Sequence, residues 1–508
     1  MKRHSGERKL RTESTIAVLV GIAVLLFALG LPGSAAARGA GLSRTSDTGW
    51  NVYMVWPNGH NDTADIQAAF NACTGASSWC TVELVPGVYH VAQITVYGFD
   101  GSFLGAGQGV TIIKGLPNLP PPAAAFNTST SPFWAGLPGP SNPWPELFTF
   151  VNGTFRISGM TITDTYLNPV MDWNYLGTTF TALWASILIT GGQANVDIDH
   201  LTLVGGTGDY AGFNNANSIL FGGQLLPAGW TDPFAQIPIS GSISVTHSVF
   251  RNLETAVDVL SLVNATATVC FNTATFSEDP WEFWDLSYST ALLCDNQASN
   301  IPEGAGAWVA QSFFAPSQPS TVYIIGNSFR DVNSGSAGIF LIDTGPLYYG
   351  VPPTLSAVVS GNVIQTNTSC GCYLADTPAI GFGELASFVA SGNTIVGGGV
   401  GIGVIGGPGS IWGNTIRGAI EGIGLGCPGG VTCIVYPDVA ATGIHVTGNF
   451  IKNSGQFGIA VQNGSSNNTV AYNHIRLSGV DDIYWDGTGT DNEWSHNYCK
   501  TSSPPGLC

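Results

Sequence analysis

Short apolar runs alternate with small and polar residues at a period of two along most of this chain, and Gly-Asn pairs punctuate them. Phe457, Ile459 and Val461, for example, enclose Gly458 and Ala460. One phrase recurs: a β-type residue, then Gly (sometimes Tyr or His), Asn, one residue, and an apolar residue. It reads Ile325-Gly326-Asn327-Ser328-Phe329, Ser360-Gly361-Asn362-Val363-Ile364, Ser391-Gly392-Asn393-Thr394-Ile395 and Trp412-Gly413-Asn414-Thr415-Ile416. It returns at 447–451, 471–475 and 495–499, with weaker copies at 158–162, 199–203, 246–250 and 270–274. The shortest intervals between copies are 21 to 24 residues, and the longer ones look like that unit plus an insertion. Alternation at period two predicts strands with one buried face. A unit too short for two helices, stacked at one recurring period, predicts an all-β parallel solenoid.

The recurring Asn has two physical reasons to be there. A coil turns sharp corners, and Asn tolerates the left-handed backbone better than other non-glycine residues, so the Asn is expected to carry the corner. Its side-chain amide can also hydrogen-bond to the Asn one coil on, forming a ladder. The preceding Gly permits close approach of neighbouring coils.

The N-terminal part predicts a cap. Residues 61–73 form an amphipathic helix with Asp62 as N-cap and Ile66, Ala69, Phe70 and Cys73 on one face. A first coil exposes an apolar end, which such a helix covers. The stretches Asp62-Thr63-Ala64-Asp65-Ile66-Gln67-Ala68-Ala69, Val82-Glu83-Leu84-Val85-Pro86-Gly87-Val88-Tyr89 and Phe103-Leu104-Gly105-Ala106-Gly107 resemble the N-terminal opening of the pectate-lyase-like superfamily. The later phrases are similar to that superfamily's right-handed parallel β-helix repeats, and the resemblance spans roughly residues 48–508. It implies the fold strongly and the activity weakly, because the fold hosts lyases, hydrolases, epimerases, esterases and non-enzymatic surface proteins. Local motifs do not narrow the choice. The polygalacturonase Gly-His-Gly and Arg-X-Lys are missing, although Asp481-Asp482 is present, and no Asp-Pro-His of the epimerase kind occurs. Pectate lyases use a basic residue beside calcium carboxylates, a role for which Arg251 or Arg330 is a candidate.

Residues 1–37 read as a secretory signal peptide: five basic residues before position 12, an apolar run over 16–31, then Ala35-Ala36-Ala37. Residues 38–115 are then the N-terminal cap and first coils, 116–320 loop-decorated coils, and 321–508 compact coils with a C-terminal cap. The expected location is secreted or cell-surface, with no membrane association once the signal is removed. The net charge of −18 over 508 residues argues against nucleic-acid partners. Ten cysteines fall in local pairs, Cys73 with Cys80, Cys270 with Cys294, Cys370 with Cys372, Cys427 with Cys433 and Cys499 with Cys508, which export turns into disulfides.

Candidate chemistry concentrates in Ser277-Glu278-Asp279-Pro280-Trp281-Glu282-Phe283-Trp284-Asp285-Leu286-Ser287-Tyr288. Glycosidic hydrolysis generally needs two carboxylates, and crowded carboxylates push one pKa upward. Glu278, Asp279, Glu282 and Asp285, with Asp258 about one coil earlier, are therefore the catalytic candidates. Trp281, Trp284 and Tyr288 are the candidate sugar platforms. The same carboxylates suit Ca²⁺ as a possible cofactor; no metal ligand set is otherwise specified. Further platforms are offered by Trp134, Trp144, Trp173, Tyr175, Trp184, Tyr210 and Trp230 in the long excursions.

Three places after the repeat's Asn position stand Arg251, Arg330, Arg417, Lys452, Arg476 and Lys500. Stacked, they form a broken basic stripe, interrupted at Gln365 and Val396, that can track an anionic polymer. Arg251 and Arg330 join the substrate-binding candidates on this ground. His200 and His247 share one repeat position and are expected to stack as turn residues. The leading reading is a carbohydrate-active protein that cleaves or binds an extracellular polysaccharide, as a lyase or a glycoside hydrolase. The alternative is a non-catalytic adhesion protein or a self-assembling structural β-helix, for which the low charged fraction of 9% leaves self-association open.

Overall fold

The structure, a computed structural model, describes residues 42–45, 51–75, 79–116, 146–163, 173–175, 178–180, 183–205, 215–222, 238–302, 304–312, 316–333, 336–367, 377–426 and 439–508. The expected signal peptide, the pairs Cys370–Cys372 and Cys427–Cys433, and the loop aromatics Trp134, Trp144, Tyr210 and Trp230 lie outside these residues.

Each coil contributes three strands, and each strand pairs in parallel with its counterpart one coil on. Thr290–Cys294, Gln297–Ile301 and Ala305–Gln311 make one coil. They pair with Ser320–Ile325, Ser328–Asn333 and Ala337–Asp343 of the next, in the registers Thr290↔Thr321, Gln297↔Ser328 and Ala305↔Ala337. Repetition of this step builds three parallel sheets, named here first, second and third in the order a coil meets them. The solenoid predicted from the repeat is thus the observed architecture.

Identical register from coil to coil stacks like on like inside. In the third sheet Ile339, Ile380, Ile402, Ile423, Ile459 and Ile483 form one column, each 0% exposed. In the second sheet Ile364, Ile395, Ile416, Ile451 and Ile475 form another. Full burial of one such side chain stabilises by about 1.5–3 kcal/mol. The strand beside these columns must then carry glycine: a Cβ at Gly458 would stand 2.2 Å from Ile475 Cγ2. Of the alternating residues Phe457, Ile459 and Val461, the last two point inward, while Phe457 is half-buried and stacks on Tyr484.

The amide ladder is present and nearly continuous. From Asn272 through Asn296, Asn327, Asn362, Asn393, Asn414, Asn449 and Asn473 to Asn497, each Oδ1 accepts from both the backbone N–H and the Nδ2 of the preceding Asn. The left-handed corner, however, belongs to the residue before the Asn. Gly326, Gly361, Gly392, Gly413 and Gly448 have φ between 62° and 70°, and His200, His247, Phe271, Asp295, Tyr472 and His496 take the same conformation without glycine. The Asn therefore serves as the hydrogen-bond plug, and the preceding residue bears the strain. His200 and His247 stack at 5.1 Å as turn residues, followed by Phe271 at 5.4 Å.

The capping helix α1 (Thr63–Thr74) buries Ile66, Ala69, Phe70 and Cys73, with Phe70 edge-on to Phe99, Phe103 and Phe150. Asp62 occupies the N-cap position but bonds elsewhere. Its carboxylate accepts from the backbone N–H of Asn58 at 2.6 Å and of His90 at 2.8 Å, so it pins the helix to the first coil. Cys73–Cys80, Cys270–Cys294 and Cys499–Cys508 are disulfide-bonded. The middle one joins register partners on adjacent coils and brackets the acidic loop.

Candidate active site

Four neighbouring strands of the third sheet build the site: β1 (Thr255–Val259), β2 (Trp281–Trp284), β3 (Ala305–Gln311) and β4 (Ala337–Asp343). Alternation sends Val257, Trp281, Phe283 and Val309 into the coil. It sends Asp258, Glu282, Trp284, Trp308 and Phe340 to the outer face. The register Asp258↔Glu282↔Trp308↔Phe340 makes these four one outward column. Trp284 stacks on Trp308 with ring centroids 6.1 Å apart, and Trp308 meets Phe340 at 5.1 Å. Ala310, Ile342 and Ile405 complete this apolar surface.

The acids converge. Asp258 is 3% exposed, and its Oδ1 is buried with no hydrogen-bond partner. Glu282 Oε2 accepts from Thr255 Oγ1 at 3.2 Å. Asp279 accepts from the backbone N–H of Ala305, and the backbone N–H groups of Glu278 and Asp279 both donate to the carbonyl of Glu254, which folds the loop back over the strand end. Burial raises the pKa of Glu254, and the charges of Glu278, Asp279 and Asp258 raise it further. Burial followed by Asp279 raises Asp258. Burial followed by Asp258, Asp279 and Glu254 raises Glu282, against a small opposing effect of the Thr255 hydroxyl. Among the described residues every charged group acting on these three is another acid, so ionising one makes the next harder to ionise.

The sequence candidates therefore divide. Asp258, Glu278, Asp279 and Glu282 come together. Asp285 does not act on the shifted acids; it turns the corner after β2 with φ 46°, its N–H donating to Ala310 O. Trp281 cannot serve as a sugar platform, because it is 0% exposed inside the coil, edge-on to Phe250 at 5.8 Å. Trp284 is on the outer face. Tyr288 is exposed beyond the next corner, where its hydroxyl meets Gln318 Oε1 at 3.0 Å. Arg251 and Arg330 are exposed on the second sheet, on a different face from the acids. Glu254, Trp308 and Phe340 were not anticipated. A search by register, one strand past each repeat, finds the last two, and Glu254 stands four places before Asp258 at the same strand's start.

The acid cluster offers the hard oxygen donors that Ca²⁺ takes, and the unpartnered Oδ1 of Asp258 fits such a role. Among the described residues, however, the one group of three or more such side chains with ligand atoms within 4.8 Å of one another is Asp199 with His200 and His247, and the acid cluster does not meet that spacing. Both imidazole Nδ1 atoms there are already engaged by Asp199, at 2.7 and 3.0 Å, and Arg156 holds the same carboxylate at 2.9 Å. Burial raises the Asp199 pKa, but hydrogen bonds from His200, His247 and Thr246 outweigh it and bring the group down to about 2. This is a filled structural cluster.

No protein-family model and no curated protein matches the chain. Solved structures do. The catalytic unit of a GH87 α-1,3-glucanase from Streptomyces thermodiastaticus aligns over 88% of this chain and 67% of its own, with 12% identity and a TM-score of 0.50. A mannuronan C-5 epimerase A-module from Azotobacter vinelandii aligns over 88% and 96%, with 14% identity and a TM-score of 0.41. The surface adhesin PfbA of Streptococcus pneumoniae aligns over 72% and 89%, with 14% identity and a TM-score of 0.43. At such identities the likeness speaks for the fold alone: the chain is a right-handed parallel β-helix protein.

Proposed function

We propose that this protein is a secreted glycoside hydrolase acting on an extracellular polysaccharide, with its active site on the outer face of β1–β4. The observation that carries the reading is the buried acid set of Asp258, Glu282 and Glu254 opening beside the Trp284–Trp308–Phe340 surface. Glycosidic cleavage requires one protonated carboxyl to give its proton to the leaving oxygen, and one ionised carboxylate on the far side as base or nucleophile. Mutual repulsion among buried acids supplies both forms at one pH. Asp258, the most deeply buried of the three, is suited to hold the proton. Glu282, steadied by Thr255, is suited to ionise. Flat aromatic surfaces one and two coils away are suited to pack against sugar rings. A lyase needs a basic group to take a proton from carbon, and the described groups acting on these acids include none. The concentrated negative charge also disfavours a uronate at this face, so a neutral polysaccharide is the preferred substrate class. Disulfides in the described chain support the extracellular location.

The test is a depolymerisation screen on neutral and uronate polysaccharides, with calcium and with chelator. New reducing ends on a neutral glycan, lost in Asp258→Asn, are the expected result. Unsaturated products that disappear with chelator would establish a calcium-dependent lyase instead. Absence of turnover from folded protein on the whole panel would favour an adhesive or structural role.

A further inference from the structure

The second sheet carries a separate feature that the active site does not use. The registers Val396↔Arg417, Arg417↔Lys452 and Lys452↔Arg476 stack three cations directly above one another. Lys500, which the sequence spacing adds to the stripe, leaves the register after the bridge His474↔Tyr498, and its backbone N–H donates to Asp482 Oδ2 at 2.9 Å. Three cations thus stand on three successive coils, about 4.8 Å apart, along about 10 Å of the axis. Arg417, Arg476 and Lys500 are exposed and Lys452 is half-buried. Among the described residues Arg417, Lys452 and Arg476 form no ion pair. Like charges directly opposite one another on a sheet repel, and this chain carries 15 basic against 33 acidic residues. An acidic protein that stacks its few cations in an unpaired file keeps an arrangement that its own stability disfavours.

The neighbouring file on the same face is aromatic. Phe450, His474 and Tyr498 stand two residues before Lys452, Arg476 and Lys500, with ring centroids 5.2 and 4.6 Å apart. Arg476 lies over Phe450 at 5.0 Å, and Tyr498 is 71% exposed. A charged lane beside a ring-bearing lane, running along the coil axis, matches a linear polymer with one anionic group and one apolar sugar face per repeating unit.

We propose that the file Arg417–Lys452–Arg476 is a binding lane for a polyuronate, an acidic polysaccharide that the protein holds without cleaving. The partner must be a polyanion, because among the described residues the three stacked cations have no acidic ion-pair partner and the remainder of the surface repels negative polymers toward them. A carboxylated polysaccharide fits better than a nucleic acid, because the strongly acidic net charge opposes binding a densely charged phosphate chain. The lane begins five coils from Glu282, which is about 24 Å along the axis. It is on another sheet as well, so occupancy of the lane leaves the acid site open. The polyuronate acts as a tether, and the neutral glycan remains the substrate.

Binding of the full secreted chain to polygalacturonate, measured by calorimetry across a salt series, tests this. Methyl-esterified polygalacturonate serves as the uncharged counterpart and a single-stranded DNA oligomer as the competitor. Affinity is expected to fall steeply with salt, to be lost on esterification, and to drop at least tenfold in Arg417→Gln/Lys452→Gln/Arg476→Gln. Arg251→Gln, which stands alone higher on the same sheet, should change it less than twofold. Lys452→Gln by itself, and the salt slope of the unaltered protein, keep the test decisive if the triple variant misfolds. Equal binding to the esterified polymer, preference for DNA, an unaffected triple variant, or no binding at all would each overturn the proposal. Asp258→Asn should bind polygalacturonate as the parent does, which separates a failure here from a failure of the hydrolase reading.

Discussion

Replacing Asn414 by Ala isolates what the amide ladder contributes. Asn414 is 1% exposed. Its Oδ1 accepts from Asn393 N at 3.0 Å and Asn393 Nδ2 at 2.9 Å. Its Nδ2 donates to Ala390 O at 2.9 Å, to Trp412 O at 3.2 Å and to Asn449 Oδ1 at 3.0 Å. Alanine removes all of these and leaves the backbone N–H and one of the two Nδ2 hydrogens of Asn393 buried without acceptors, the other still donating to Val359 O at 3.0 Å. A buried group stripped of its partner costs about 1–3 kcal/mol. Two such donors, with part of the loss on the acceptor side, give about 3–5 kcal/mol. Asn497→Ala, at the end of the ladder where exposure is 8%, should cost about 1–2 kcal/mol, because solvent reaches what is left. Guanidinium unfolding followed by far-ultraviolet circular dichroism measures both. The transition should lose its single step in Asn414→Ala, since a weakened coil interface in a solenoid uncouples the segments on either side. A loss below about 1 kcal/mol at Asn414, or equal losses at Asn414 and Asn497, would refute the view that buried amide satisfaction holds the coils in register.

Asp258→Asn and Glu282→Gln should each lower turnover at least a hundredfold on the glycan found by the screen, with intact circular dichroism, and a variant within threefold of the parent would remove that residue from the mechanism. Trp308→Ala should raise KM more than it lowers kcat, because ring stacking is made in the ground state and the transition state alike; a pure kcat effect would contradict the platform role. Stability should peak at mildly acidic pH. Glu254, Asp258 and Glu282 are raised in the folded state, so they favour folding at low pH and that contribution is lost as pH rises from about 4 through their elevated values. Asp199, lowered to about 2, contributes above about 4 and loses its contribution as pH falls toward 2. Thermal melts at a series of pH values check this, and Asp258→Asn/Glu282→Gln should flatten only the neutral limb; an unchanged neutral limb would show that these acids do not carry it.

The coil architecture was legible because its cause is local and repeated. A Gly-Asn followed by Ile two places later states a corner, a plug and an inward strand within five residues, and the structure places Asn327, Asn362, Asn393, Asn414 and Asn449 in one ladder. Assigning the left-handed conformation to Asn failed for a physical reason. The side chain must reach the next coil's Asn, which a conventional backbone allows, so the turn falls on the residue before it. Acid convergence was legible in part, because Asp258, Glu278, Asp279 and Glu282 are close in sequence and one coil apart. Which way a tryptophan points was not. Trp281 and Trp284 differ by three positions and hence by face, and only the register with Val257 and Ala307 shows that Trp281 faces inward.

The ladder also makes the molecule a ruler. From Asn272 to Asn497 each coil is joined to the next by the same amide contact, so no coil in that stretch depends on one further away. Removing one 24-residue unit in register, such as 450–473, would bring Asn449 against Asn497 with the same chemistry and shorten the axis by one step of about 4.8 Å. The separation between acids and cations is therefore a counted quantity, fixed by how many coils the gene encodes. A lineage could lengthen or shorten the distance between grip and blade one notch at a time, without redesigning either.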